Sequence, residues 1–215
     1  MIRTIKVKGK GSVSVKPDMT RISFSISSKK MNYEDALKRS ASDSNSLRQI
    51  AYELGFNEDS IKTDFFEVEV LNESYRDRND DYKSRFAGYR VNHGMKIEFE
   101  SDNELLGKFL GRISGCLAKP QFGISFFVKD TESVKNRLLE IAVEDARTKA
   151  SVISKAAGVK LGVISNIEYS WGEIRFESGD YSVGGGLYDT SFMPIDIEPD
   201  DLNISDTVTV EWEIE

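Results

Sequence analysis

The chain contains one histidine and one cysteine, and each is a candidate for nucleophilic catalysis. His93 lies in the stretch GYRVNHGMKIEF, and Cys116 lies in SGCLAKP. A Ser-His-Asp or Cys-His arrangement would have to use His93 as its base, with Cys116 or one of the strand serines as its nucleophile. His93 alternates with apolar residues, however, which favours a packed, hydrogen-bonded histidine. For Cys116 we favour a buried, inert thiol over a redox sensor, because no second cysteine could resolve an oxidised form.

The first glycines of the chain, in GKGSVSVKPDMTRISFSISS, could suggest a loop that binds phosphate. A P-loop requires the pattern GxxxxGK[ST], and a dinucleotide loop requires GxGxxG immediately before a helix. Gly9 and Gly11 lead instead into another alternating segment, so no helix N-terminus is available to hold a phosphate. We therefore interpret these glycines as a bulge or bend in a strand.

An acidic segment near the C-terminus, DIEPDDLN, contains Asp196, Glu198, Asp200 and Asp201 and could suggest a calcium site. It lacks the glycine at the sixth position and the glutamate at the twelfth that an EF-hand loop requires. A solvated acidic turn is the favoured interpretation.

A lone cysteine also excludes an intramolecular disulfide and a cysteine-built zinc site. The sequence therefore predicts no metal and no cofactor.

Charge and composition describe a soluble protein of ordinary type. The 215 residues carry a net charge of -7, which argues against a nucleic-acid partner or an anionic membrane surface. No apolar run approaches the roughly 20 residues of a membrane span. The N-terminal MIRTIKVKGKG has no apolar signal-peptide region. We expect a cytoplasmic protein from the sequence as written, or a periplasmic or secreted one if a leader was removed.

Alternation of apolar and polar residues over 3–28 predicts two strands at the start of the chain. The Pro17-Asp18 pair between them has type I turn chemistry, so an antiparallel hairpin is expected. Helical spacing of apolar residues then predicts a helix from Asn32 to about Gly55.

Further along the chain, strands alternate with two more helices. A short helix is predicted at 102–115, and a long one from Thr131 to Ala157, ending at Gly158. The long helix contains a row of small residues that permits close approach to a sheet or helix: Ala142, Ala146, Ala150 and Ser154. Strands are predicted at 64–75, 86–100, 122–130, 162–171 and 204–215. This order predicts an α+β fold in which helices cover a curved, mainly antiparallel sheet.

A long segment, 172–203, separates the last two predicted strands. A loop of this length inside a compact domain is unusual, so a functional, mobile or partner-bound arm is expected. Aromatic residues on and beside it could either fold back onto their own core or anchor a partner protein. The candidate partner or oligomer contacts are Trp171, Phe176, Tyr181, Tyr188 and Phe192.

Four segments together resemble the SIMPL-domain family of bacterial YggE-like proteins. They are IKVKGKGSVSVKPDMTRISFSIS, GFNEDSIKTDFFEVEV, GYRVNHGMKIEF and IAVEDARTKASVISKAAGVKLGVISNIEYS. The resemblance implies a SIMPL-type α+β fold and an association with oxidative and envelope stress, usually in secreted or periplasmic proteins. It also implies homo-oligomer formation, which is known for at least one member. The family has no established catalytic residues to transfer.

These observations favour one SIMPL-type domain over residues 1–215, acting as a non-enzymatic, self-associating protein linked to stress protection. Exposed strand edges and the 172–203 arm would mediate its assembly. The alternative is a small-ligand or peptide-binding module with the arm as its lid. An enzyme using His93 or Cys116 is the third hypothesis.

Overall fold

A computed structural model describes residues 3–77, 79–169, 174–179, 181–182 and 197–215. Within these residues the chain forms three helices and eight strands, arranged as one three-stranded and one five-stranded sheet. The strand pairs whose register is described are antiparallel in both sheets. The predicted α+β class is confirmed. None of the described helices is long and apolar enough to cross a membrane.

The chain divides into two compact units. Unit 1 comprises Met1–Asp18, Phe127–Ser178 and Pro199–Glu215, and unit 2 comprises Met19–Phe126 and Gly179–Glu198. The single domain expected from the sequence stays a prediction, because two compact units can still unfold in one cooperative transition.

Unit 1 contains the three-stranded sheet and the longest helix. Strands β1 (Thr4–Val15), β8 (Leu202–Ile214) and β6 (Leu161–Glu168) lie in the order β1-β8-β6. Helix α3 (Thr131–Ala157) ends at Gly158, whose φ of 70° is left-handed, so the predicted helix is confirmed at both ends. Its row of small residues is buried with apolar residues of the sheet. The core members are Val7, Ala142, Ala146, Ala150, Val208, Val210 and Trp212.

Gly9 and Gly11 lie in regular strand rather than in a bulge. They pair in unbroken register with Val208 and Asp206 of β8. A β-carbon on Gly9 would overlap the backbone carbonyl of Ala142, and one on Gly11 would overlap that of Leu138. The predicted bulge or bend is therefore wrong, because these strand glycines mark a close approach of helix and strand. The exclusion of a phosphate loop is confirmed, since the segment is a strand.

Unit 2 contains two helices and the five-stranded sheet. Phe127, the last residue of one of its strands, is the one residue of this sheet assigned to unit 1. The strands in sheet order are β3 (Lys62–Arg76), β4 (Tyr82–Glu100), β2 (Met19–Lys30), β5 (Gln121–Phe127) and β7 (Tyr181–Ser182). Helix α1 (Tyr33–Glu53) begins after the N-cap Asn32, and α2 (Asn103–Ser114) begins after the N-cap Asp102. One face of β2 and β4 packs with both helices and β5 in a common core. Its largest fully buried members are Ile22, Ile26, Leu47, Met95, Ile97, Leu106, Phe109, Ile124 and Phe126.

The first two strands do not form the expected hairpin. β1 pairs with β8, and β2 pairs with β4, so the short segment with Pro17 and Asp18 connects two sheets. The Asp18 N–H donates to the carbonyl of Phe127 at 3.2 Å, and its carboxylate accepts from the Lys129 N–H at 2.8 Å. The alternation of apolar and polar residues determines which side chains of a strand share a face. It does not determine which other strand pairs with it. The strands predicted at 64–75 and 86–100 pair antiparallel with each other as β3 and β4.

The 172–203 segment is not structureless throughout its described residues. Glu177 forms a bridge with Phe127, and the Phe176 carbonyl accepts the Val128 N–H at 3.2 Å. β7 pairs with β5 through Ser182 opposite Gly123. The described parts of the predicted arm thus pair with their own chain.

Candidate interaction surface

His93 is held in β4 by the neighbouring strand β3. Its Nε2 lies 3.1 Å from the Thr63 hydroxyl, and its ring meets the Phe66 ring edge-on with centroids 5.1 Å apart. The side chain is buried, and burial lowers the pKa of His93, with a further lowering by the charge of Arg48. These contacts favour the neutral imidazole.

The His93 contacts differ from those of a catalytic triad. In a triad, one ring nitrogen takes a proton from the nucleophile while an acceptor holds the other nitrogen. Here Nδ1 is buried and has no hydrogen-bond partner among the described residues. The Thr63 hydroxyl therefore lies beside His93 in the place of a nucleophile. Among the described residues, no third group binds Nδ1 and orients the ring.

Cys116 lies in the core of unit 2, immediately after α2. Its side chain is buried with Ile113 and Phe109 in the cluster formed by β2, β4 and the helices. The side-chain contacts of His93, in contrast, are with Thr63 and Phe66 of β3. The side-chain contacts shown for His93 and those shown for Cys116 thus involve different residues.

The acidic segment and the aromatic candidates are only partly described. Asp201 accepts a hydrogen bond from the Ser14 hydroxyl at 3.2 Å, and Glu198 and Asp200 are exposed. Asp196 lies outside the described residues. Within the described ranges, no three histidine, cysteine or acidic side chains are grouped to hold a metal.

Phe176 is the aromatic candidate whose side chain is described. It is half-buried, and the Lys135 ammonium lies 5.6 Å from its ring centroid, so the ring contacts its own chain. Tyr181 belongs to β7, and its side chain is outside the described structure, as are Trp171, Tyr188 and Phe192. Their assignment as partner contacts, and the arm as a ligand lid, stay predictions.

The two sheets leave three long strands at their edges, and α3 closes the edge of β1. The Asp145 carboxylate accepts the Lys10 N–H at 2.7 Å, and the Lys149 ammonium approaches the Lys8 carbonyl at 3.4 Å. Asp145 and Lys149 also pair with each other at 2.6 Å. The outward backbone groups in the middle of β1 are therefore occupied by side chains of its own chain.

β3 forms an edge of the five-stranded sheet and combines apolar and acidic residues. Phe66 and Val70 lie opposite His93 and Tyr89 and are more than half exposed. Charge is high along the strand, because KTDFFEVEVLNESYR includes four acidic residues. They are Asp64, Glu67, Glu69 and Glu73.

β6 is the least charged of the three long edge strands. Residues 161–167, LGVISNI, include no charged side chain, and Glu168 at the end pairs with Lys6 at 2.8 Å. Val163, Ile164 and Ile167 are 68%, 48% and 51% exposed. Within the described structure β6 pairs with β8 alone, so its other backbone edge is free. An uncharged, apolar, free edge is the type of strand that pairs with another chain.

Sequence reasoning identified β6 as a strand but missed its position at an edge. The run of seven uncharged residues was visible in the sequence and signals a strand without the usual protection against pairing. The sequence does not show that α3 leaves β6 uncovered, because it does not show which strands the helix packs on.

A comparison with family models matches residues 5–212 to SIMPL, described as a protein of unknown function (DUF541). A comparison with curated proteins finds no match. The family model spans nearly the whole chain, including both sheets and all three helices. The chain therefore belongs to the SIMPL family.

Proposed function

We propose that this protein is a non-enzymatic, self-associating member of the SIMPL family that acts through contacts between its copies. The observation that carries the proposal is the exposed, uncharged edge strand β6. The association with oxidative or envelope stress rests on the family resemblance alone and forms part of the proposal.

Burial of the β6 side chains supplies a driving force for association. Val163, Ile164 and Ile167 all leave about half or more of their surface in water. Fully burying a side chain of this kind contributes about 1.5–3 kcal/mol, and a free strand edge adds backbone hydrogen bonds. Both contributions would be repeated in the second copy.

The surroundings of the catalytic candidates support a role without catalysis. His93 is buried with an unpartnered Nδ1, and Cys116 lies in an apolar core. A nucleophile and its base need to lie within hydrogen-bonding reach, with the base oriented by a third group. His93 has the Thr63 hydroxyl at 3.1 Å, but among the described residues no third group accepts or donates at its Nδ1.

Light scattering on a sizing column, at loadings from about 1 to 100 μM, tests self-association. We expect a defined multiple of the 24.2 kDa chain that dissociates on dilution. A monomer at every loading would contradict the proposal.

A second chain, in which residues 183–192 are replaced by a Gly-Ser linker, separates the contributions of arm and edges. This replacement retains β7 and the bridge of Glu177 with Phe127. A monomeric but folded product would show that the arm carries assembly. An unchanged mass would assign assembly to the strand edges.

A further inference from the structure

We infer that β6 pairs antiparallel with β6 of a second copy, so that two three-stranded sheets join into one continuous sheet of six strands. This inference rests on the proposed self-association and names the surface that performs it. The partner is a second copy of this chain, and the contact is the free edge of β6 with its uncharged residues 161–167.

The helix layer of unit 1 leaves an apolar strip uncovered on β6. Ile164 and Ile167 lie opposite Trp212 and Val210 of β8, and paired residues share a face of the sheet. Trp212 and Val210 are buried in the core that α3 forms. Helix α3 packs mainly on β1 and β8 and scarcely reaches β6. The two isoleucines therefore lie on the helix-covered side of the sheet without a helix above them.

A second copy of β6 would cover the exposed Ile164 and Ile167 that α3 leaves uncovered. Two-fold pairing would place two β6 strands at the centre of the joined sheet, with an α3 helix on either side. Ile164 and Ile167 of each copy would then lie beside the same residues of the other copy on one face. An interface of this type is self-complementary, as a two-fold dimer requires.

Charge favours β6 over the other edges as the site of pairing between identical chains. A strand that pairs with its own copy places its charges near the same charges, which is destabilising when they are directly opposite. β6 has no charge from Leu161 to Ile167, and Glu168 already pairs with Lys6. β3 would bring together two sets of four acidic residues, of which, within the described structure, only Glu69 and Glu73 form ion pairs, with Arg90 and Arg85 of β4. β1 is closed by Asp145 and Lys149.

The first experiment compares Ile167→Lys with Val70→Lys on the full chain. The two positions are about equally exposed, 51% and 59%, on the edge strands β6 and β3. We expect Ile167→Lys to raise the dissociation constant about 100-fold or more, because each dimer loses two buried isoleucines and gains two facing ammonium groups. Val70→Lys should leave it unchanged. Circular dichroism melting curves check that both variants fold.

The second experiment places single cysteines at Val163, Ser165 or Ile167 and oxidises the assembled protein. The β6–β8 register is irregular between Leu161 and Ile164 and between Ile164 and Asn166, so three positions are needed to find the two-fold axis. A residue near that axis faces its own copy, and a disulfide forms only when the two Cα atoms lie within about 7 Å. The unmodified chain is the control, since Cys116 is buried. We expect disulfide-linked dimers in at least one cysteine variant.

The outcomes separate this inference from the proposed function. Dissociation by Ile167→Lys together with cross-linking through β6 supports the inference. An oligomer that keeps its mass in Ile167→Lys, or that dissociates in Val70→Lys instead, overturns the β6 contact and leaves self-association intact. An unmodified chain that is monomeric at all loadings overturns both.

Discussion

Gly9 of β1 lies against Ala142 of α3 so closely that a β-carbon on the glycine would overlap the alanine's backbone carbonyl. Ala146 bounds the same space. All three residues lie in the core of unit 1, where the small side chains let helix and strand backbones approach each other. The packing of unit 1 therefore depends on the lack of a side chain at this strand position.

Gly9→Ala should lower the free energy of unfolding by about 1–3 kcal/mol, because overpacking against a helix backbone forces the helix to shift. Urea unfolding measures the change. Gly123→Ala is the matched control, since a β-carbon on this glycine of β5 would meet nothing within 4 Å. A Gly9→Ala chain as stable as its control would contradict the close approach.

Gly9 and Gly11 show which parts of this packing could be predicted from the sequence and which could not. The absence of a helix after Gly11 was sufficient to exclude a phosphate loop. The row of small residues from Ala142 to Ser154 indicated close packing. The two features form one contact, but glycine in a strand signals either a bulge or a close approach. Choosing between them requires knowing that α3 lies over β1.

Asp145 should protect the Lys10 amide from hydrogen exchange, because its carboxylate accepts that N–H at 2.7 Å. Lys149 and this N–H together lower the pKa of Asp145, so the carboxylate is charged at neutral pH. In Asp145→Ala we expect the Lys10 amide to exchange several-fold faster. The Gly9 amide, which lies within the β1–β8 ladder, should keep its rate. Exchange measured by NMR tests this, and equal Lys10 rates in the two proteins would contradict it.

His93 should make stability fall as the pH is lowered below neutrality. Burial lowers the pKa of His93 from its ordinary value of 6.5, and Arg48 lowers it further. The folded chain therefore binds this proton less readily than the unfolded chain. Its contribution to stability is present above pH 6.5 and is lost as the pH falls towards the lower folded-state pKa.

Urea unfolding of the unmodified chain and of His93→Gln, at several pH values from about 8 to 5, isolates this effect. Glutamine does not titrate and retains a polar group that can reach Thr63. We expect the unmodified chain to lose more stability than His93→Gln as the pH falls below 6.5. Parallel pH profiles would show that His93 does not cause the loss.

The topology illustrates what residue patterns leave undetermined. The helices were predicted nearly residue by residue, because Asn32 and Gly158 are local capping signals. β1 and β8, in contrast, pair across almost the whole chain, with Thr4 opposite Glu213. Nothing in the alternation of β1 distinguishes β8 from β2 as its neighbour. The candidate surface on β6 was missed for the same reason, since an edge is a property of the assembled sheet.

The two compact units should unfold together. The chain passes from one unit to the other after Asp18, Phe126, Ser178 and Glu198, so neither unit is a continuous segment that could complete its fold alone. We expect one calorimetric transition, with a van't Hoff enthalpy equal to the measured enthalpy of about 150 kcal/mol for a chain of this size. Gly9→Ala, which strains unit 1, should then lower the melting temperature of the whole protein. Two resolved transitions, with Gly9→Ala shifting only one of them, would show instead that the chain contains two independent domains.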